Sequence, residues 1–323
     1  MTEDILFDRR GALGIVTLNR PKALNAQNLA MVQAFTKQLD AWEANDSVTR
    51  LLIHGAGEKA FCAGGDIRAL WTQDFDAQMA FFETEYDLCY RLARSRLTTI
   101  AYMDGITMGG GVGLSIHATY RLATERTLWA MPEALIGFFP DIAASHFLPR
   151  NKLGAGFGRY LGLTGARLSG TDCLAAGIAT HYVASGLDDH LIDRLARLDL
   201  EQALVKCEQS PPPSTVGDLA QSLNPHAAAP LAEFLDELKQ RNLLPADVSP
   251  LSLQVIDAAL TVGRRLGYRE TVEMDKRIVK HFLTNNSFAE GVRARLIDRD
   301  QQPDWLKNPP APLTEAEIVR YFA

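Results

Sequence analysis

Apolar positions over roughly the first 200 residues switch between two spacings. Leu13-Gly-Ile-Val-Thr-Leu18 is a short apolar run closed by Asn19-Arg20-Pro21, the pattern of a buried strand entering a turn. Leu29, Val32, Phe35 and Leu39 then recur at helical spacing, which predicts a helix capped by Asn25 and running to about Trp42. Arg50-Leu-Leu-Ile-His54 predicts the next strand, Gly55 to Asp66 a glycine-rich loop, and Phe75 to about Arg96 a second helix. Thr98-Thr-Ile-Ala-Tyr102 and Tyr120-Arg-Leu-Ala123 predict two more strands, with a turn at Asp104-Gly105 between them. Strand and helix alternating in this order imply an α/β fold of stacked units.

Past about Leu198 the strand pattern stops. Pro211-Pro-Pro213 and Asn224-Pro225 mark a linker, and the remainder reads as helical. Ser287-Phe-Ala-Glu290 and Thr314-Glu-Ala-Glu317 both fit a capping box, in which hydroxyl and carboxylate satisfy orphan amides reciprocally. The expected division is an α/β core at residues 1–200 and a helical region at residues 201–323.

Composition narrows the function classes. A chain of 323 residues that is 47% hydrophobic and 22% charged reads as globular, and a net charge of -6 argues against a general nucleic-acid binder. No apolar run is long enough to span a bilayer, so no membrane partner is expected. Met1 to Arg10 lacks the basic-then-apolar pattern of a signal peptide, which makes the cytoplasm the default expectation. Cys62, Cys89, Cys173 and Cys207 include no CxxC pair and read as isolated thiols. Neither the histidines nor the cysteines show ligand spacing, so no metal is expected. Gly113-Leu-Ser115-Ile-His117 begins like a nucleophile elbow but carries His117 where the second glycine belongs.

Two loops exceed ordinary turn chemistry: Ala60-Phe-Cys-Ala-Gly-Gly-Asp-Ile67 and Ile106-Thr-Met-Gly-Gly-Gly-Val-Gly113. Each sets consecutive glycines at the mouth of a predicted helix, where backbone approaches a ligand closely and N–H groups lack partners. Two such amides aimed at one point would hold a developing oxyanion. On the residues alone, two tight turns without a ligand fit the pattern equally well.

At these loops, and at Asn19-Arg-Pro-Lys-Ala-Leu-Asn25, the chain resembles the crotonase (enoyl-CoA hydratase/isomerase) superfamily. The resemblance implies a spiral core of repeated ββα units followed by a helical C-terminal portion. It also implies that the amides of Gly65 and Gly110 polarise the carbonyl of an acyl-CoA thioester. Lys22, Ala23 and Leu24 would line the CoA groove together with Ala63, Gly64, Asp66 and Ile67. Lys22 and Arg68 would add positive charge for phosphates. Coenzyme A is then part of the substrate, and no separate cofactor is implied. Superfamily members assemble as trimers or pairs of trimers through C-terminal helices, so a homo-oligomer is one expectation. A C-terminal portion folded back over its own site is the other.

Within the superfamily, hydratases carry a glutamate two residues after the glycine triplet. That position is Gly113 here, whereas Pro132-Glu133 matches the second hydratase glutamate. The block Met131-Pro-Glu-Ala-Leu-Ile-Gly-Phe-Phe-Pro-Asp141 is similar to the 3-hydroxyisobutyryl-CoA hydrolase branch, as are Phe147-Leu-Pro149, Ser249-Pro-Leu-Ser252 and Glu290 to Asp300. This resemblance implies thioester hydrolysis in valine breakdown, with 3-hydroxypropionyl as a competing acyl group. Glu133 would attack the carbonyl or activate water, Asp141 would position water or the substrate hydroxyl, and Glu85 would bind that hydroxyl. Local roles compete: a first-turn helix acid for Glu133, an N-cap for Asp141, a solvated helix glutamate for Glu85. His146 reads as a packing residue. An enoyl-CoA isomerase or hydratase, and a non-catalytic acyl-CoA-binding protein, are the rival functions.

Overall fold

The computed structural model describes residues 3–305 and 313–323. Contacts group the chain into two compact units. The first comprises Met1–Asp66, Thr84–Trp129 and Leu168–Thr215; the second comprises Ile67–Glu83, Ala130–Arg167 and Val216–Ala323. Both are discontinuous in sequence, so neither coincides with a cut at residue 200.

The first unit is built on two sheets. Its strands are β1 (Ile5–Arg10), β2 (Leu13–Leu18), β3 (Arg50–Gly55), β4 (Ala60–Cys62), β5 (Thr98–Met103), β6 (Ile106–Met108), β7 (Tyr120–Ala123), β8 (Leu128–Ala130), β9 (Leu168–Ser169) and β10 (His181–Tyr182). The larger sheet runs β1-β2-β3-β5-β7-β10 and the smaller one β4-β6-β8-β9. In the larger sheet only the β1–β2 pair is antiparallel; from β2 to β10 neighbours run parallel. Successive strand pairs, β3 with β4, β5 with β6 and β7 with β8, place one member in each sheet. This is the repeated strand-strand-helix logic that the resemblance implied.

Parallel strands are covered on both faces, and their sequences are correspondingly apolar throughout. Leu51, Leu52 and Ile53 of β3 are each wholly buried. One core layer joins Leu13, Ile15, Leu52, Ile100 and Leu122 to Leu191, Leu195, Leu200 and Leu204 of the helices Asp189–Arg197 and Leu200–Val205. Each fully buried leucine contributes about 1.5–3 kcal/mol. The helix Leu29–Glu43 buries Val32, Phe35 and Leu39 of the predicted stripe together with Met31 and Trp42, while Leu29 is half-buried.

Asn25 does not cap that helix. The cap is Asn28, whose side chain accepts from the Met31 amide. Asn25 instead takes a left-handed conformation (φ 58°). Its carboxamide accepts from Arg20 N and donates to the carbonyls of Ala56 and Ala60, at 2.7–3.0 Å.

The second unit is helical. Helices Ala155–Thr164, Pro250–Gly263, Tyr268–Thr284 and Asn286–Val292 supply most of its buried residues. Thr314 forms its capping box on the helix Glu315–Arg320. Ser287 does not form the second predicted box: Asn285 caps that helix, and Ser287 Oγ lies 2.9 Å from Ser249 Oγ. Asn285 wins because it sits one residue outside the helix, where its side chain reaches the Ser287 amide. Asn224-Pro225 is likewise no linker. Both belong to the short helix Asn224–His226, and Asn224 accepts from Gly156 N and donates to Leu153 O.

Candidate active site

The two glycine loops lie side by side within the first unit. β4 pairs with β6, and a methyl placed on Gly64 would lie 3.3 Å from the Gly110 nitrogen and 3.5 Å from the Gly109 Cα. A methyl on Gly111 would collide with the Cys62 carbonyl at 2.2 Å. Side chains at these positions would push the loops apart, and the local run of glycine follows from that proximity.

Each loop keeps one amide outside the local backbone pairing. A parallel bridge joins Gln27 to Gly65, but its hydrogen bonds use the Gly64 carbonyl and the Asp66 amide, at 2.8 Å each. The Gly65 N–H is not consumed by it. Gly110 is the first residue of the helix Gly110–Ser115, so its N–H has no acceptor one turn back in that helix.

Glu85, on the helix Phe75–Arg94, is 2% exposed. A Cβ on Gly110 would fall 2.0 Å from Glu85 Oε1 and 2.5 Å from Gln27 Nε2, and Gln27 Nε2 donates to that same Oε1 at 3.0 Å. Glu85 is thus a buried carboxylate against the second loop, and the solvated-glutamate reading is wrong. Beside it, burial pushes the Cys62 thiol up to about 12, so Cys62 stays protonated at neutral pH. Ser115 is also excluded as a nucleophile: its buried hydroxyl donates to the Gly111 carbonyl at 2.9 Å.

The segment expected to line a CoA groove follows the same edge. The Ala63 amide donates to the Leu24 carbonyl at 3.0 Å, which sets Leu24 beside Ala63 and Gly64. Asp66 pairs with Arg20 at 2.8 Å. Lys22, in the short helix Pro21–Ala23, is exposed, as is Arg68. Ile67 opens the helix Ile67–Leu70 and is counted with the second unit.

Glu133 and Asp141 both belong to the second unit and are 7% and 4% exposed. Glu133 opens a 3-10 turn, Glu133–Ile136, closed by Gly137 in the left-handed region (φ 68°). A Cβ at Gly137 would strike the Ser287 carbonyl at 2.2 Å, so glycine is required there twice over. Phe138 and Phe139 anchor the next stretch among Phe82, Phe282 and Phe288, with Phe138 and Phe288 centroids 4.7 Å apart. Asp141 follows, and then Ile142 and Ala143 in consecutive left-handed conformations (φ 55° and 56°). Two such residues without glycine store about 1–3 kcal/mol each. Asp141 is not an N-cap, because the helix Ala144–Phe147 is preceded by Ala143 at that position.

Asp275 buttresses this strained turn. It is wholly buried, and its Oδ2 accepts from the Ala143 amide at 2.6 Å. Burial, with Asp141 nearby adding to it, holds its carboxyl well above the usual carboxylate range. His146 Nδ1 lies 3.1 Å from the Leu266 carbonyl, and burial lowers its pKa, as suits a packing histidine.

A family model described as enoyl-CoA hydratase/isomerase matches residues 13–322. The chain belongs to the enoyl-CoA hydratase/isomerase family. Among curated relatives in this family, the protein from Danio rerio is 37% identical, with 99% of this chain and 89% of the relative covered. The protein from Homo sapiens is also 37% identical, with 99% and 88% covered. Both are named 3-hydroxyisobutyryl-CoA hydrolase, mitochondrial. Among solved family structures, a carnitinyl-CoA dehydratase from Mycobacterium thermoresistibile superposes with a TM-score of 0.91 at 33% identity, covering 100% of this chain and 97% of that one. An enoyl-CoA hydratase from Rhodobacter sphaeroides reaches a TM-score of 0.90 at 32% identity, with 99% and 97% covered.

These names correct one expectation. Curated relatives of near-complete coverage are mitochondrial enzymes, and the cytoplasmic assignment is withdrawn. Two site residues escaped sequence reasoning. Gln27 lies two residues past the Asn19–Asn25 motif and had no pattern of its own. Asp275 did have a signal: it shares a helical stripe with buried Thr271, Ile278, Val279 and Phe282, where a carboxylate is out of place.

Proposed function

We propose that the protein hydrolyses a short 3-hydroxyacyl-CoA thioester, 3-hydroxyisobutyryl-CoA foremost, to the free acid and coenzyme A. What carries the reading is the packing of the two glycine loops, with the amides of Gly65 and Gly110 left outside the local pairing and a buried carboxylate, Glu85, beside the second. The names of relatives that match nearly the whole chain support the same chemistry.

In this reading the thioester carbonyl oxygen accepts hydrogen bonds from the Gly65 and Gly110 amides. Removing one such donor typically costs about 100- to 1,000-fold in rate. Glu133 then acts on the carbonyl carbon by one of two routes. Direct attack expels the coenzyme A thiolate and leaves a mixed anhydride, which water cleaves. Alternatively, Glu133 removes a proton from water, which attacks and expels the thiolate. Asp141 orients water or the acyl hydroxyl, and Glu85 accepts from that hydroxyl. The Lys22–Leu24 and Ala63–Ile67 segments take the coenzyme A portion. Single turnover in oxygen-18 water bears on the routes: label in the Glu133 carboxylate marks the anhydride, and label in product alone favours direct attack by water, an outcome shared only with an anhydride cleaved at its acyl carbon.

A second reading is favoured by the titles of the two solved structures, a dehydratase and a hydratase. Gly113 weighs against it, because it stands where hydratases carry their first glutamate. A thiol-release screen over 3-hydroxyacyl-, enoyl- and saturated acyl-CoA esters discriminates between them. Free thiol from the 3-hydroxyacyl esters is expected. Conversion of enoyl esters without thiol release would sink the hydrolase reading, and binding without turnover would reduce the chain to an acyl-CoA carrier.

A further inference from the structure

Gln27 and Glu85 are each 2% exposed and joined by a 3.0 Å hydrogen bond, in a fold where such residues are ordinarily at the surface. Gln27 also touches the other glycine loop. Its own amide and carbonyl hold the Gly64 carbonyl and the Asp66 amide on either side of Gly65. One residue therefore clamps the first loop with its backbone and sets a carboxylate against the second with its side chain.

A carboxylate at that place carries a chemical cost. An anion near Gly110 opposes negative charge developing on an oxygen held by the Gly110 amide, and it does so in a water-poor site where Coulombic effects are strong. Donors to the carboxylate reduce that opposition. Gln27 is one donor, and the adjacent thiol of Cys62 stays neutral. An ionised carboxylate has room for several donors. An acyl chain with a hydroxyl close to its carbonyl brings a further donor, and an acyl chain without one does not.

We propose that Gln27 is a specificity-determining positioning residue, whose carboxamide fixes the Glu85 carboxylate beside Gly110 so that the site selects acyl groups bearing a hydroxyl near the thioester. This rests on the thioester-hydrolase reading above and extends it to a residue outside the two glycine loops and the Glu133–Asp141 block.

The test compares kcat/KM for 3-hydroxyisobutyryl-CoA and for isobutyryl-CoA, which lacks only the hydroxyl, by thiol release in the full chain. Gln27→Met keeps the buried volume and removes the donor. The preference for the hydroxylated ester is expected to fall about 10- to 100-fold, the range for losing a hydrogen bond to a charged group, because the unfixed carboxylate no longer meets the acyl hydroxyl, while activity on isobutyryl-CoA falls by much less. Glu85→Gln is the second variant, for use if Gln27→Met fails to fold. It removes the charge at constant size and is expected to show the same selective loss. With Glu85→Gln in place, adding Gln27→Met should not change the preference further. Equal losses on both esters, or an unchanged preference, overturn the proposal and leave hydrolysis standing. Thiol release from neither ester by the wild-type protein overturns the functional reading and this proposal together.

Discussion

Gly110→Ala probes the second glycine loop with the smallest change that can be made. Its backbone offers no objection, since Gly110 lies outside the glycines with left-handed φ and opens a helix, where alanine is favoured by about 0.5–1 kcal/mol. The obstacle is space. The new methyl would lie 2.0 Å from Glu85 Oε1 and 2.5 Å from Gln27 Nε2, whereas ordinary contact begins near 3.4 Å. Glu85 must therefore withdraw by roughly 1.4 Å (3.4 less 2.0) from a wholly enclosed position. Overpacking of this kind costs about 1–3 kcal/mol, partly offset by the helix preference, so a net loss of about 0–2 kcal/mol in urea unfolding is expected. The catalytic loss should be far larger, about 100-fold or more in kcat/KM, because the Gly110 amide and Glu85 are displaced together. Gly217→Ala, at a helix start where the methyl meets nothing within 4 Å, is the control and should change neither quantity. Activity of Gly110→Ala within a few-fold of wild type would refute the reasoning, because it would mean that the contact between loop and carboxylate has no bearing on the reaction.

Three further outcomes are expected. Glu133→Gln should lower thiol release by about 100- to 10,000-fold with unchanged circular dichroism, and comparable activity would remove Glu133 from the chemistry. Asp275→Asn bears on pH: an unfolded aspartate ionises near 3.8, whereas burial keeps Asp275 protonated in the fold well above that. The folded chain thus retains a proton that the unfolded chain has lost, and the acid's contribution to stability declines as pH rises from about 4 through the folded value, by up to about 1.4 kcal/mol per pH unit. Stability of wild type relative to Asp275→Asn should therefore fall as pH rises above about 4 in urea titrations, and a pH-independent difference would contradict this. Arg159 is 6% exposed, donates to half-buried Asp257 at 2.7 Å and lies 4.4 Å over the Phe234 ring, so Arg159→Ala should cost about 1.5–3 kcal/mol through loss of a charge-assisted hydrogen bond; a loss under about 0.5 kcal/mol would show the pair to be dispensable.

Strands that are buried on both faces announced themselves. β2, β3 and β5 are runs of apolar residues bounded by turn residues, and each was legible within a residue or so. β1 was not, because it is an edge strand whose residues are largely outside the core and whose polarity hides its pairing with β2. β4, β6, β8 and β9 are two or three residues long, too short for any period to register. The displaced cap at Asn28 has a related cause. Leu24 and Asn25 take left-handed conformations that the local pattern does not encode, and they are stabilised by Ala56 and Ala60, about 30 residues away.

The site was legible to different depths. The glycine loops followed from residue type, and their contact bears out the proximity that the spacing alone left open. Glu133 and Asp141 came from resemblance, since a 3-10 turn, an aromatic anchor and a strained left-handed pair separate them in a way no simple period reports. Gln27 could not be read at all: its role depends on Glu85, 58 positions further on.

The most direct test of the account is a crystal structure of Glu133→Gln bound to intact 3-hydroxyisobutyryl-CoA. The thioester carbonyl oxygen should lie about 3 Å from the nitrogens of both Gly65 and Gly110, with the acyl hydroxyl on Glu85 and residue 133 facing the carbonyl carbon. A thioester bound with its carbonyl away from those two amides would contradict the proposed chemistry.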